Sequence, residues 1–247
     1  MKKLLIISIA LVIFSITLDA QLWKLRRYEV SAAIGTTQFY GDIGGFSKGD
    51  NLLGLKDISF KQTGLNLTTS FKYRILHNVS IRASIASGYF HSTDVRGSNE
   101  KRGFESRTIF IEPSLSGEYY FIKNKSDNSF LAMRGDRSAF QSIISSLDVY
   151  GFAGFGGLSF KVKPNDILTP KATATKGFIP VIPIGVGVNV FFSSYISFGA
   201  ELSGRFTFSD DIDGYSSVNS KSNDLYQFLN FTFTYKIKTG ENGLPSF

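Results

Sequence analysis

There is no cysteine in the 247 residues. That absence excludes disulfide staples and cysteine-ligated metal, and with them the lipidated N-terminal cysteine of a lipoprotein. Histidine occurs only twice, at His77 and His91, and tryptophan once. Beyond the chain start no apolar run approaches the ~20 residues of a spanning helix, which argues against an α-helical membrane protein. The formal charge is +7, but basic residues are scattered among acidic ones. No basic stripe forms, so no nucleic-acid surface is read from it.

What is present begins with "MKKLLIISIALVIFSITLDAQ", two lysines, a short apolar run and a small residue before a polar one. This pattern predicts a secretory signal peptide over 1–20, cleaved after Ala20, leaving a mature chain of 21–247. Loss of Lys2, Lys3 and Asp19 changes the formal charge from +7 to +6.

The mature chain is rich in phenylalanine and glycine, 24 of each, and repeats with a period of two. In "YEVSAAIGTTQFYGD" Tyr28, Val30, Ala32 and Ile34 oppose Glu29, Ser31, Ala33, Gly35 and Thr37. In "GLNLTTSFKYRIL" an apolar face from Leu65 to Ile75 opposes one carrying Lys72 and Arg74, and in "VSIRASIASGYF" Ile81 and Ile85 oppose Arg82. "SRTIFIEPSLSGEYYF" sets Ile109, Ile111 and Leu115 against Glu112 and Glu118. "DVYGFAGFGGLSFKV" gathers Tyr150, Phe152, Leu158 and Phe160 on one side, read as its greasy face, with mostly small residues opposite. "FIPVIPIGVGVNVFF", "SFGAELSGRFTFSDD" and "YQFLNFTFTYKIK" complete the set, the seventh placing Glu201 and Arg205 opposite Phe198, Leu202 and Phe206.

Eight such runs predict strands at roughly 26–42, 62–75, 79–91, 105–122, 148–162, 178–192, 195–208 and 226–238. Each matches or exceeds the ~9 to 11 tilted residues that cross a bilayer. The fold expected is all-β: an eight-stranded antiparallel transmembrane β-barrel. A soluble sandwich or lipocalin-like barrel, with the apolar faces buried, is the alternative. The export signal, strand length and aromatics near strand ends favour the membrane barrel; Tyr28, Tyr40, Tyr73, Tyr89, Tyr119, Phe192, Tyr195 and Tyr226 are read as its interface girdles.

A cation facing lipid near the midplane costs ~2–4 kcal/mol. The charges at Glu29, Lys72, Arg74, Arg82, Glu112, Glu118, Glu201 and Arg205 are therefore expected to face the interior, pairing into a plug because eight strands leave no channel. Tight joins near 76–78 and 192–195 alternate with long polar segments at 43–59, 91–104, 163–177 and 209–225. Small barrels carry their short turns on the periplasmic side, which places the N-terminus there and the long segments outside. The join over 123–147 breaks that rule. Its apolar Phe130, Leu131, Met133 and Phe140, with the basic Lys123, Lys125, Arg134 and Arg137, suit a periplasmic docking surface, against the plainer reading of a tolerated insertion.

Catalytic readings find little. His91 with Ser92 and Asp94 has the composition of a lipid-modifying site, but neighbours on a strand alternate faces. The outer acidic turn, Asp210, Asp211 and Asp213, is read as a solvated turn bonding its own backbone rather than a divalent-cation site. No metal, no cofactor and no enzymatic reaction are expected.

The segments "RRYEVSAAIGTTQFYGDIGG", "FESRTIFIEPSLSGEYYF", "VYGFAGFGGLSF", "VIPIGVGV" and "ELSGRFTFSDDIDGYSS" with "DLYQF" resemble the PorG-like family of Bacteroidota outer-membrane barrels, most specifically at Tyr40-Gly41-Asp42 and the series Glu201, Arg205, Asp210, Asp213. The departure is Asp211-Ile212-Asp213-Gly214, where that family often carries Tyr-Leu-Asp-Asp. The resemblance implies an OmpA-like barrel acting as an accessory of the type IX secretion machinery, touching a periplasmic ring of PorK/PorN-like subunits as well as outer-membrane lipid and lipopolysaccharide. A stand-alone OmpA-like surface barrel, serving envelope integrity or external binding, is the alternative, although no peptidoglycan-binding domain follows the eighth strand.

Overall fold

The computed structural model describes residues 22–44, 60–95, 99–123, 129–130, 138–217 and 223–246. The signal-peptide expectation therefore lies outside the described residues. Eight strands run in sequence order: β1 (Tyr28–Tyr40), β2 (Gly64–Leu76), β3 (Val79–Thr93), β4 (Glu105–Ile122), β5 (Leu147–Pro164), β6 (Lys176–Phe191), β7 (Ile196–Thr207) and β8 (Leu225–Thr239). Each pairs antiparallel with the next, and β1 closes on β8 from Tyr28 opposite Ile237 to Tyr40 opposite Leu225. Closure leaves no free edge, so every strand has neighbours for its ladder on both sides. A two-residue strand, β9 (Pro245–Ser246), folds back on the end of β8.

Burial alternates along most of each strand, most regularly on β4. On β4, Ser106, Thr108, Phe110, Glu112 and Ser116 are buried while Ile109, Ile111 and Leu115 are exposed. Outward residues form a continuous apolar belt, with Ile34 63%, Phe155 66% and Phe231 64% exposed; inward Glu112 and Glu118 are each 1% exposed. This is the reverse of a barrel folded in water, whose bore takes the apolar faces. The β4 stretch of the belt reaches from Phe121 to Ile109, a separation of twelve residues, or roughly 41 Å along the strand. Tilted ~40°, it spans about 31 Å along the barrel axis, close to a bilayer's hydrocarbon thickness.

Strand five departs from the expected facing. Tyr150, Phe152, Leu158 and Phe160 are all buried in the bore, and the small-residue face, with Phe155, points outward. The middle of this strand carries no charge to set its parity, and large inward rings fill the volume opposite neighbours with small inward groups: Gly185 sits beside Phe152 and Gly187 beside Tyr150. Tyr226 is likewise interior, fully buried, rather than part of a girdle. Tyr119, Phe192 and Tyr195 are exposed near strand ends, where an amphipathic ring suits an interface.

The joins at 77–78 and 192–195 are tight turns on one end of the barrel. The third join on that end contains a short helix, α1 (Ala139–Ser145), started by a capping box in which the Ser138 hydroxyl accepts from the Gln141 N–H and the Gln141 side chain accepts from the Ser138 N–H. The four long connections lie at the opposite end.

Candidate functional site

Two polar constellations stand out, one inside the bore and one among the long loops. The first follows directly from parity and register. Glu29 on β1 lies opposite Lys72 on β2 and Lys236 on β8, and Lys72 lies opposite Arg82 on β3. Adjacent cations would repel, so carboxylates must separate them. Glu118 does so, 2.7 Å from the Lys72 ammonium and 3.1 Å from Arg82. Arg82 also meets Glu201 at 2.6 Å, and Arg74 meets Glu29 at 2.5 Å. The fourth cation, Arg205, donates to Glu112 at 3.3 Å and to the Ser203 hydroxyl, and lies 4.0 Å over the Phe228 ring. All eight expected lumen residues are thus buried, four acids against four bases, with no excess charge among them.

Three tyrosines join this network; Tyr120 shares the parity of Glu118 and Tyr226 that of Lys236, but alternation does not say which carboxylate each one meets. Tyr120 donates to Glu118 at 3.0 Å and accepts from Lys72 at 3.1 Å; Tyr150 donates to Glu201 at 2.5 Å; Tyr226 donates to Glu112 at 2.7 Å. The Tyr226 phenol supplies the Glu112 oxygen that Arg205 does not reach, and the other two add a second donor to oxygens already facing a cation, the kind of extra hydrogen bonding a buried ion pair needs. A further pair lies near the short-turn end: Lys123 contacts Asp148 at 2.5 Å with its side chain only 7% exposed, so this lysine is held by the barrel and does not face a docking partner.

The bore is filled. Above the charges Phe39, Phe90, Phe110, Tyr226 and Phe228 pack together, with Phe90 and Phe110 stacked at 4.4 Å. A polar void bounded by Lys72, Arg82, Tyr150, Glu201 and Arg205 holds about 30 Å³, room for roughly one water. A side-chain plug of this kind braces the wall from within.

The second constellation joins all four long connections. Asp94 accepts from the Gly44 and Phe104 N–H groups and from Arg102, whose guanidinium also donates to the Asp42 carbonyl. Arg102 lies against both Phe104 and Tyr215, whose rings meet edge to face, and Ile43, Phe104, Leu168 and Tyr215 make a small apolar core of their own. The loops thereby form a cap over the bore.

The acidic turn belongs to this cap. Asp210 accepts from Ser216 and Asp211 from Thr173, both partly exposed, but Asp213 is 1% exposed and accepts from Tyr215 and from the distant Ile43 N–H. The expected solvated turn is therefore corrected at Asp213, because contacts from a loop some 170 residues earlier shield it. Asp224, also buried, accepts from Ile212, while Asp213 and Asp224 both crowd Gly41, where a Cβ would lie 2.7 and 2.6 Å from their oxygens. Burial pushes the Asp213 carboxyl up to about 7, offset by its two N–H donors and reinforced by Asp42 and Asp210; burial and then Asp213 raise Asp224 as well.

An acid whose pKa is higher folded than unfolded stabilises the fold fully below its unfolded value, and that contribution is lost as pH rises through the folded value. The cap is accordingly expected to loosen between pH ~4 and ~7, read as faster amide exchange at Ile43 and Tyr215. Asp224→Asn, which removes the like charge beside Asp213, should flatten this dependence; an unchanged profile would rule out the buried acid pair as its source.

His91, Ser92 and Asp94 do not converge. His91 points outward to the Lys61 carbonyl and Glu105, whereas Ser92 and Asp94 are buried. On the short-turn side, Phe130 stacks on Phe192 at 6.2 Å and Phe140 is 72% exposed, while Leu131, Met133, Arg134 and Arg137 lie outside the described residues. No cluster of three or more metal-ligating side chains occurs among the described residues.

No family model matches the chain, and neither does any curated protein. Among solved structures it is similar to the N-terminal β-barrel domain of OprF from Pseudomonas aeruginosa, with 13% identity, a TM-score of 0.41, and 85% of this chain and 98% of that one covered. It is also similar to Neisserial surface protein A, at 14% identity and a TM-score of 0.43 with 85% and 96% covered. A major outer membrane protein from Thermus thermophilus shows 13% identity and a TM-score of 0.42, with 84% and 99% covered.

Proposed function

We propose that this chain is an integral outer-membrane β-barrel with a structural, non-enzymatic role, carried to that membrane by a cleaved leader over 1–20. The single observation that carries the reading is the inversion of polarity: a belt about 31 Å tall of exposed apolar side chains encloses a bore packed with paired charges. The filled bore and the loop cap speak for a rigid element rather than a pore. With short turns toward the periplasm, the N-terminus and α1 lie on the periplasmic side and the cap faces outward. Fractionation should recover the protein with outer membranes, migrating faster on gels when unboiled; a soluble, heat-insensitive protein would overturn the reading.

The finer reading is an accessory of type IX secretion that contacts PorK/PorN-like periplasmic ring subunits. Two features support it. One is the resemblance of the quoted segments to PorG-like barrels; the other is the short-turn end, where α1 presents Phe140, Ile143 and Ile144, all exposed. An apolar face at i, i+3 and i+4 on a short helix, set in a segment that also carries Phe130, Leu131, Met133, Arg134 and Arg137, suits a protein partner.

Replacing 124–145 by a tight turn keeps the Lys123–Asp148 pair and is expected to leave an inserted barrel, because loop closure changes by only about 0.6 kcal/mol per doubling of length. Co-purification of periplasmic partners and export of cargo should both be lost. Normal secretion by that variant, with loss on Asp210→Asn/Asp211→Asn/Asp213→Asn, would instead favour a stand-alone surface barrel working through its outer loops.

A further inference from the structure

Four cations crowd one patch of the outer wall at the long-loop end. Arg107 on β4 lies directly opposite Lys163 on β5, and Lys161 on β5 lies directly opposite Lys176 on β6. All four are exposed, and among the described residues none has an acidic partner within 4.0 Å. Glu105, the acid on the same face of β4, is engaged with His91 at 2.9 Å. Like charges directly across a ladder destabilise it. Two such pairs side by side leave the sheet with a positive patch that an anion would stabilise.

Their height identifies which anion. The cations sit at the upper edge of the belt: Ile109 follows Arg107 on β4 and lies opposite Lys161 on β5, Phe178 follows Lys176 on β6, and Arg107 stacks 4.0 Å over Tyr89, an interface-type aromatic. Directly below, the wall is grooved. Ile85, Pro113, Gly157 and Pro180 floor a shallow apolar groove of about 770 Å³, with Phe155 and Phe178 in its lining. A phosphate group at headgroup level with hydrocarbon chains hanging beneath it matches both halves.

We infer that this patch binds a phosphorylated, multiply acylated lipid of the lipopolysaccharide type, its phosphates held by Arg107, Lys161, Lys163 and Lys176 and one acyl chain laid in the groove. Arginine and lysine together suit this target, the guanidinium by forked hydrogen bonds and the ammonium groups as point charges. The site rests on the proposed orientation, since lipopolysaccharide occupies the outer leaflet.

The test is native mass spectrometry of the detergent-purified barrel titrated with bis-phosphorylated lipid A. Wild type is expected to retain one lipid. The quadruple variant Arg107→Gln/Lys161→Gln/Lys163→Gln/Lys176→Gln should bind at least tenfold more weakly, and Phe155→Ala/Phe178→Ala several-fold more weakly. Lys24→Gln/Lys238→Gln at the opposite rim should bind as wild type. Equal binding by the quadruple variant, equal loss in the opposite-rim control, or displacement of the lipid by equimolar inorganic phosphate would each overturn the site. Unboiled gel mobility checks that every variant is folded.

Orientation is read separately. Thr175→Cys, a lone thiol in this cysteine-free chain, should react with an impermeant maleimide on intact cells. Labelling without lipid binding defeats this inference alone. Failure to label intact cells, with labelling after lysis, defeats the orientation beneath it.

Discussion

Arg82→Met is expected to lower the stability of the barrel by roughly 3–5 kcal/mol, the cost of leaving buried carboxylates without their cation. Arg82 lies between two of them, Glu118 at 3.1 Å and Glu201 at 2.6 Å, with its guanidinium 4.1 Å over the Phe152 ring. Their fates after the substitution differ. Glu118 keeps Lys72 at 2.7 Å, whereas Glu201 keeps the Tyr150 hydroxyl, a neutral donor. The destabilisation should therefore be concentrated at Glu201. Arg82→Met/Glu201→Gln is expected to recover about 1–3 kcal/mol of it, a coupling typical of side chains in direct contact. Urea unfolding in lipid vesicles measures both, the midpoint moving with the slope unchanged. Strict additivity of the two substitutions would show that the plug is a set of separate contacts and not one electrostatic unit.

Phe231→Arg should cost ~2–4 kcal/mol in the same assay, while Phe208→Arg costs ~1 kcal/mol or less. Phe231 is 64% exposed in the middle of β8, opposite Ile34 and Ala200 on its two neighbours. Phe208 is 61% exposed but stands just past the end of β7, at the long-loop rim. Exposure is nearly equal, so only depth in the bilayer separates the two. A guanidinium at the rim reaches water and headgroups, and one at the midplane does not. Equal costs at both positions would mean that the belt is not the lipid boundary, and the membrane reading would fall with it.

Much of the architecture was legible because strand alternation is a local property. A residue's parity depends only on its neighbours along the strand, and one charge is enough to set it. Arg74 and Lys72 orient β2, Arg82 orients β3, Glu112 and Glu118 orient β4, and Glu201 with Arg205 orients β7. On β6 and β8, whose middles also lack charge, the aliphatic and aromatic faces read as outward are the exposed ones, but on one uncharged stretch the reading failed. Strand β5 looked greasy on the face of Tyr150, Phe152, Leu158 and Phe160, yet that face fills the bore. Tyr226, placed in a girdle by its position near a strand end, is interior because the Glu112 carboxylate needs its hydroxyl.

Residue order alone was enough to specify the wall: eight alternating runs, their succession, and which charged side chains must avoid lipid. That follows from the pleat, whose period of two is written residue by residue. Who meets whom in the bore was set by closure. Arg205 pairs with Glu112, 93 positions away, and not with Glu201 on its own strand, because closure and strand stagger set the height of every inward side chain. The same holds for the cap. Asp213 lost its water to Ile43, and Asp94 tied its own connection to the one that follows β1, through loops that come together only once the barrel closes. Alternation is local and can be read in a line; pairing and burial are non-local and exist only after the line has been closed into a ring.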